Sequence, residues 1–112
     1  MTKKSLVASA ALVVVIGLFG SKPGLAGQNL GTVNQVIIGG SIAYISLVNQ
    51  SGLPGCAGHN RYVVDLVSPT GRAMYLMALS AKLTGTPLLV IGTGACSLLP
   101  GDAEDVANTA LL

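Results

Sequence analysis

Arg61–Val67 (RYVVDLV), Ser68–Gly85 (SPTGRAMYLMALSAKLTG) and Pro87–Ile91 (PLLVI) form the stretch on which the fold turns. The first piece reads as a strand, because β-branched and aromatic residues dominate it. Ser68 then fits the N-cap of a helix, Pro69 its first helical position and Gly85 its C-terminal stop. Between them Ala73, Met74, Leu76, Met77, Ser80, Ala81 and Lys82 recur with a helical period. Met74 and Met77 read as core packing in preference to an adaptable ligand surface, since Met commonly fills irregular gaps. Pro87–Ile91 is a short, wholly apolar strand.

Upstream, Thr32–Ile38 and Ser41–Val48 are two β-prone runs around Gly39-Gly40, which is a hairpin signal because tight hairpin turns need positive φ. Asn49–Asn60 (NQSGLPGCAGHN) is a loop punctuated by Gly, Pro and Asn. Downstream, Gly92–Asp102 is a Gly-rich loop and Asp105–Leu112 reads as a last strand, with a frayed tail as its alternative. The order is β-β-β-α-β-β, mainly β with one helix. Five strands with one helix between the third and fourth is the element order of a small oligonucleotide/oligosaccharide-binding (OB) barrel. An open α+β sheet with one covering helix gives the same string.

The chain has 112 residues, six Lys and Arg, four Asp and Glu, and is 51% apolar. Residues 1–26 read as a separate piece. Met1–Lys4 is basic, Leu6–Phe19 is apolar apart from Ser9 and Gly17, and Ser21–Ala26 ends in small residues, the order of a secretory signal peptide cleaved after Ala26. Fourteen helical residues span only about 21 Å against a hydrocarbon core of roughly 30 Å, which disfavours a membrane anchor. The expected destination is the periplasm or the exterior. Residues 27–112 then form a single small domain carrying Arg61, Arg72 and Lys82 against Asp65, Asp102, Glu104 and Asp105, a net charge of −1. Phosphate neutralisation needs clustered Lys and Arg, and stacking needs aromatic platforms. Only Tyr44, Tyr62 and Tyr75 remain after cleavage, so no nucleic-acid partner is expected.

Cys56 and Cys96 are the only cysteines, and an even count in an oxidising compartment points to a disulfide. The alternatives are two free buried thiols or one reactive Cys. With no CxxC and a single His, neither metal ligation nor thiol catalysis has enough residues. A bridge closing a loop of about 40 residues is worth ~4 kcal/mol in the chain-entropy model.

The catalytic inventory is sparse. His59 stands alone in its loop, and Asp65 either points outward or pairs with Arg61. A triad of carboxylate, imidazole and Ser46, Ser51 or Ser97 is recommended by nothing in the spacing. Gly92-Thr93-Gly94 resembles half of a phosphate loop but lacks the third Gly, a Lys and a following helix, so tight turning around a bridged Cys explains it better. Asp102, Glu104 and Asp105 lack the ligand count of a calcium loop and read as a solvated start to a strand. No catalytic residue, metal or cofactor is assigned. Tyr44 and Tyr62 lie on the second and third strands, the face such barrels often use for ligands, although a core ring with its hydroxyl at the rim is the stronger reading of each.

The block Cys56–Val64 (CAGHNRYVV), the stretch Gly71–Gly94 (GRAMYLMALSAKLTGTPLLVIGTG) with Cys96, and the ending Gly101–Val106 (GDAEDV) resemble a group of small exported bacterial proteins. The shape of that group is similar to the B subunit of subtilase cytotoxin and other OB-fold toxin B subunits, in which pentamers recognise cell-surface glycans. The resemblance covers most of residues 31–106. No sugar-contacting residue carries over, because the toxin's motif is not identifiable here, and Leu98-Leu99-Pro100 departs from the group's pattern. The resemblance implies opposed third and fourth strands, with Cys56 and Cys96 at one end of the barrel and compatible with a Cα separation of about 5.5–6 Å. It also implies a non-enzymatic module binding a glycan or a protein, and a homo-oligomer; the candidate binding residues Tyr44, His59, Arg61 and Tyr62 come from their own places on the strands and the loop before the third strand. The alternatives are a small periplasmic enzyme or enzyme inhibitor using His59 and Arg61, and an envelope structural protein with no small ligand.

Overall fold

The computed structural model of the protein describes residues 26–112. In chain order the elements are β1 (Gln28–Gly31), β2 (Val33–Gly39), β3 (Ile42–Leu47), β4 (Arg61–Asp65), α1 (Pro69–Thr84), β5 (Leu88–Gly92) and β6 (Ala103–Leu111). The strands form one mixed sheet in the order β1-β5-β6-β4-β3-β2. β4 and β6 are parallel, and the other neighbouring pairs are antiparallel. The protein is thus mainly β with one helix. The expected closed five-strand barrel is replaced by an open six-stranded sheet, the alternative architecture.

The difference arises at Thr32. Gln28–Gly31 (QNLG) has no β-branched residue, so nothing in its side chains announces a strand, yet it pairs with β5 through backbone ladders. After Thr32 the chain changes neighbours and β2 pairs with β3. β1 and β2 are the two edges of the sheet, so Gly31 and Val33 bring opposite edges within about 7.6 Å, two Cα steps of ~3.8 Å. The sheet is rolled, although among the described residues no ladder joins β1 to β2.

The hairpin forms, with its turn one residue later than the Gly39-Gly40 signal: Gly39 pairs with Ile42, and Gly40 takes the positive φ of +62°. The last strand, read from Asp105, begins already at Ala103. The helix is capped as its sequence dictates, the Gly71 N–H donating to Ser68 Oγ at 2.9 Å and Gly85 adopting φ 71°. Gly71 is required by proximity, because a Cβ there would lie 1.8 Å from the Asp65 carbonyl oxygen. Small residues bring α1 close to the sheet, chiefly over β2, β6 and β4: Ala78 and Ala81 are buried in one core cluster with Ala43, Ile45 and Leu47 of β3 and Leu88 and Val90 of β5, with Met74 and Met77 half-buried at its margin. Alternation on β3 places its core residues on one face and Ile42, Tyr44 and Ser46 on the other. Burying a side chain such as Ile45 or Leu88 contributes about 1.5–3 kcal/mol.

A Cys56–Cys96 disulfide, with Cα atoms 6.0 Å apart, joins the loop before β4 to the loop after β5. The predicted leader lies outside the described residues except for Ala26.

Candidate binding cleft

The parallel register places Arg61 of β4 beside Ala103 of β6, and hence next to Asp102, the residue before β6. Arg61 grips that carboxylate with two hydrogen bonds, Nε to Oδ1 at 2.9 Å and Nη2 to Oδ2 at 3.1 Å. His59 Nδ1 lies 2.9 Å from the same Oδ1, and the Tyr44 hydroxyl donates to Oδ2 at 3.4 Å. The guanidinium also stacks on the Tyr44 ring, 3.6 Å from its centroid, because Tyr44 pairs with Val63 and so shares a sheet face with Arg61. The Arg61 hydrogen bonds hold the Asp102 carboxyl below its ordinary range, against a smaller opposing effect of burial, and His59 adds to the lowering. The same hydrogen bonds raise the Arg61 guanidinium.

The backbone presenting these groups is clamped. The His59 N–H donates to the Asp102 carbonyl at 3.0 Å. A Cβ on Gly58 would fall 2.6 Å from the Gly101 carbonyl oxygen, and Gly101 itself has φ +78°. The disulfide lies in these same two loops, so covalent and backbone contacts together fix Asp102 against Arg61.

Beside the clamp is a solvent-open polar cleft of about 400 Å³, lined by Asn34, Gln35, Asn49, Asn60, His59 and Arg61 among others. Asn49 and Asn60 are the two non-glycine residues with positive φ among the described residues, at 62° and 53°. Asn tolerates this conformation better than most L-residues, and its use twice in one cleft is a local backbone cost. Buried Gln50 ties the two sides: its Oε1 accepts from the Leu47 N–H at 2.7 Å and its Nε2 donates to the Asn60 carbonyl. No family model, curated protein or solved structure matches the chain. The cleft is therefore read from its own chemistry.

Tyr44, His59 and Arg61 come together as a group, and Tyr62 does not join them. Tyr62 is fully buried on the opposite face of β4, its hydroxyl accepting from Asn29 Nδ2 at 2.8 Å, which makes it a core ring; burial pushes its phenol up. Asp65 does not pair with Arg61 either, since its Oδ1 accepts from the Val67 N–H at 2.9 Å. Of the candidate serines, Ser46 lines the cleft with His59, whereas Ser97 Oγ bonds Asp105. Among the described residues no serine hydrogen-bonds His59.

The three acidic residues that read as one solvated run go separate ways. Asp102 holds Arg61 and His59, two residues of the cleft's lining. Asp105 accepts from the N–H groups of Ser97 and Leu98 at 3.0 and 3.1 Å. Glu104 is fully buried on the interior face beside Tyr62, accepting from Gly27 N at 3.2 and 3.0 Å and from Gly94 N at 2.8 Å. Burial raises its pKa, and the backbone donors pull the other way. The Gly92-Thr93-Gly94 turn wraps this carboxyl: a Cβ on Gly92 would sit 2.1 Å from it. Among the described residues no group of three or more His, Cys, Asp or Glu is placed to hold a metal, and no helix is long and apolar enough to cross a membrane.

Sequence reasoning missed Asp102, Glu104 and Gln50 as organising residues. Asp102 meets partners 41 and 43 positions away, so no local spacing marks it. Glu104 had one usable signal: alternation with Val106 on a strand puts it on the interior face.

Proposed function

We propose that the protein is an exported binding module, processed after Ala26, and that the polar cleft beside Arg61 and His59 takes a glycan. The observation that carries this reading is the cleft's lining. Asn34, Gln35 and Asn49 each carry a carbonyl acceptor and an NH₂ donor, the pairing that neighbouring sugar hydroxyls require, and Asn60, whose Nδ2 donates to the Gln50 carbonyl at 3.4 Å, adds its own amide. Arg61 and His59 stand at one side, already immobilised by Asp102, so little ordering cost remains on binding. The disulfide is compatible with export.

A glycan array read with the exported, oxidised protein tests the proposal. Retention of a defined set of glycans is expected. It should be lost in Asn34→Ala and in Asn49→Gly, the second of which keeps the left-handed backbone while removing the amide. A folded wild-type protein that retains no glycan overturns the reading. The second reading, an enzyme or inhibitor acting through His59 and Arg61, draws on the Asp102–His59 contact but lacks a nucleophile bonded to that imidazole.

A further inference from the structure

Glu104 is the one fully buried carboxyl among the described residues, and the glycan reading leaves it unused. Its partners are two backbone nitrogens. One of these, Gly27 N, faces both carboxyl oxygens, at 3.2 and 3.0 Å. A peptide nitrogen has a single hydrogen to divide between two acceptors, whereas an ammonium has three. Gly27 is also the residue that processing after Ala26 makes the first of the chain.

We propose that hydrolysis of the Ala26–Gly27 bond creates a buried ion pair, the new α-ammonium of Gly27 against the carboxylate of Glu104. The inference rests on the export-and-processing reading given above. In the step, water adds to the Ala26 carbonyl, the C–N bond breaks, Ala26 leaves as a carboxylate and the Gly27 nitrogen keeps its pair and is protonated. The nitrogen needs no journey to reach its partner. Gly27 is buried, and its carbonyl accepts from the Gly92 N–H at 2.8 Å, which fixes it at the head of β1. No larger residue fits, because a Cβ on Gly27 would lie 2.7 Å from Glu104 Oε1 and 3.2 Å from Leu53. Ala26, one position earlier, is exposed.

The electrostatic surroundings favour such a partner. The ionisable groups acting on Glu104 are Asp105, next in its own strand, and the Tyr62 phenol on β4, and neither is a cation. Neutral donors leave a desolvated carboxylate poorly compensated, and an ammonium at hydrogen-bond distance supplies the missing charge. Residues Gly27, Gly92 and Gly94 thus build a receptor for the protein's own processed N-terminus.

The test uses the full chain, exported from a bacterium and purified. Intact mass identifies the first residue, and timed acetylation at neutral pH compares the Gly27 α-amine in folded and urea-unfolded protein, with exposed Lys82 as internal control. The expected result is a chain beginning at Gly27 whose α-amine reacts at least about tenfold more slowly when folded, the factor equivalent to one pKa unit. Glu104→Gln should abolish the protection. The Glu104 carboxyl should also titrate at lower pH in the processed protein than in the unprocessed chain. If this variant does not fold, the folded-to-unfolded ratio and the wild-type titrations decide alone. A first residue other than Gly27 removes both the processing reading and the ion pair. A chain that begins at Gly27 but has an equally reactive α-amine, or an unmoved Glu104 titration, overturns the ion pair and leaves processing intact.

Discussion

Asp102 and Glu104 are two positions apart at the start of β6, and the protein treats them in opposite ways. Asp102 stays partly exposed and is held by side chains: an arginine fork, an imidazole and a phenol. Glu104 is fully buried and is held by backbone N–H groups in a cradle that only glycines allow. Strand alternation does not separate them, since residues two apart share a face; the divergence comes from Asp102 lying just before the strand, on the turn made by Gly101. One short acidic run thus serves two ends, Asp102 ordering the cleft and Glu104 anchoring the sheet edge at β1.

The largest expected effect comes from the bridge joining the two loops around Asp102. Cys56→Ala should lower stability by about 2–5 kcal/mol in urea unfolding, and identical curves with and without reductant would contradict a structural bridge. Next is the Glu104 cradle. Gly92→Ala forces a methyl group into the carboxyl and should cost about 1–3 kcal/mol, the usual range for overpacking, with glycan retention unchanged in the folded fraction. Arg61→Met reverses that pattern. Its thermal midpoint should fall less than that of Gly92→Ala, while glycan retention is lost, because the Met side chain cannot hold Asp102 or keep the cleft's charged wall.

The smallest effect is on pH dependence, and the two carboxyls contribute with opposite signs. Asp102 is held below the ordinary 3.8, so its contribution is present above that pH and disappears as pH falls through the lower folded value. Glu104 in the unprocessed chain is raised above the ordinary 4.5, so its contribution is present below that pH and is lost as pH rises through the higher folded value. Thermal melts of the unprocessed chain between pH 2 and 7 should therefore show a shallower acid-side decline in Asp102→Asn and no such loss in Glu104→Gln.

The elements with strong local chemistry were legible from sequence. Ser68, Pro69 and Gly85 bound the helix, and Gly39-Gly40 located the hairpin to within one residue. Cys56 and Cys96 meet, as their even count implied. The sixth strand was not legible, because Gln28–Gly31 is recruited by backbone pairing with β5 and carries no β-prone side chain. That recruitment divides the expected first strand at Thr32 and turns the closed barrel into an open roll. Tyr44, His59 and Arg61, singled out by residue type and place, lie together around Asp102. Their common partner was hidden, because parallel pairing of β4 with β6 brings together residues about forty positions apart. Tyr62 takes the core-ring reading, because one step along β4 reverses the face and Arg61 rather than Tyr62 shares a face with Tyr44.

The division of labour between the two carboxyls is tested most directly by a carbon-13 NMR titration of both side chains in the unprocessed chain, where Gly27 N is an amide. The prediction is a midpoint below 3.8 for Asp102 and above 4.5 for Glu104. Coincident midpoints, or the reverse order, would contradict it.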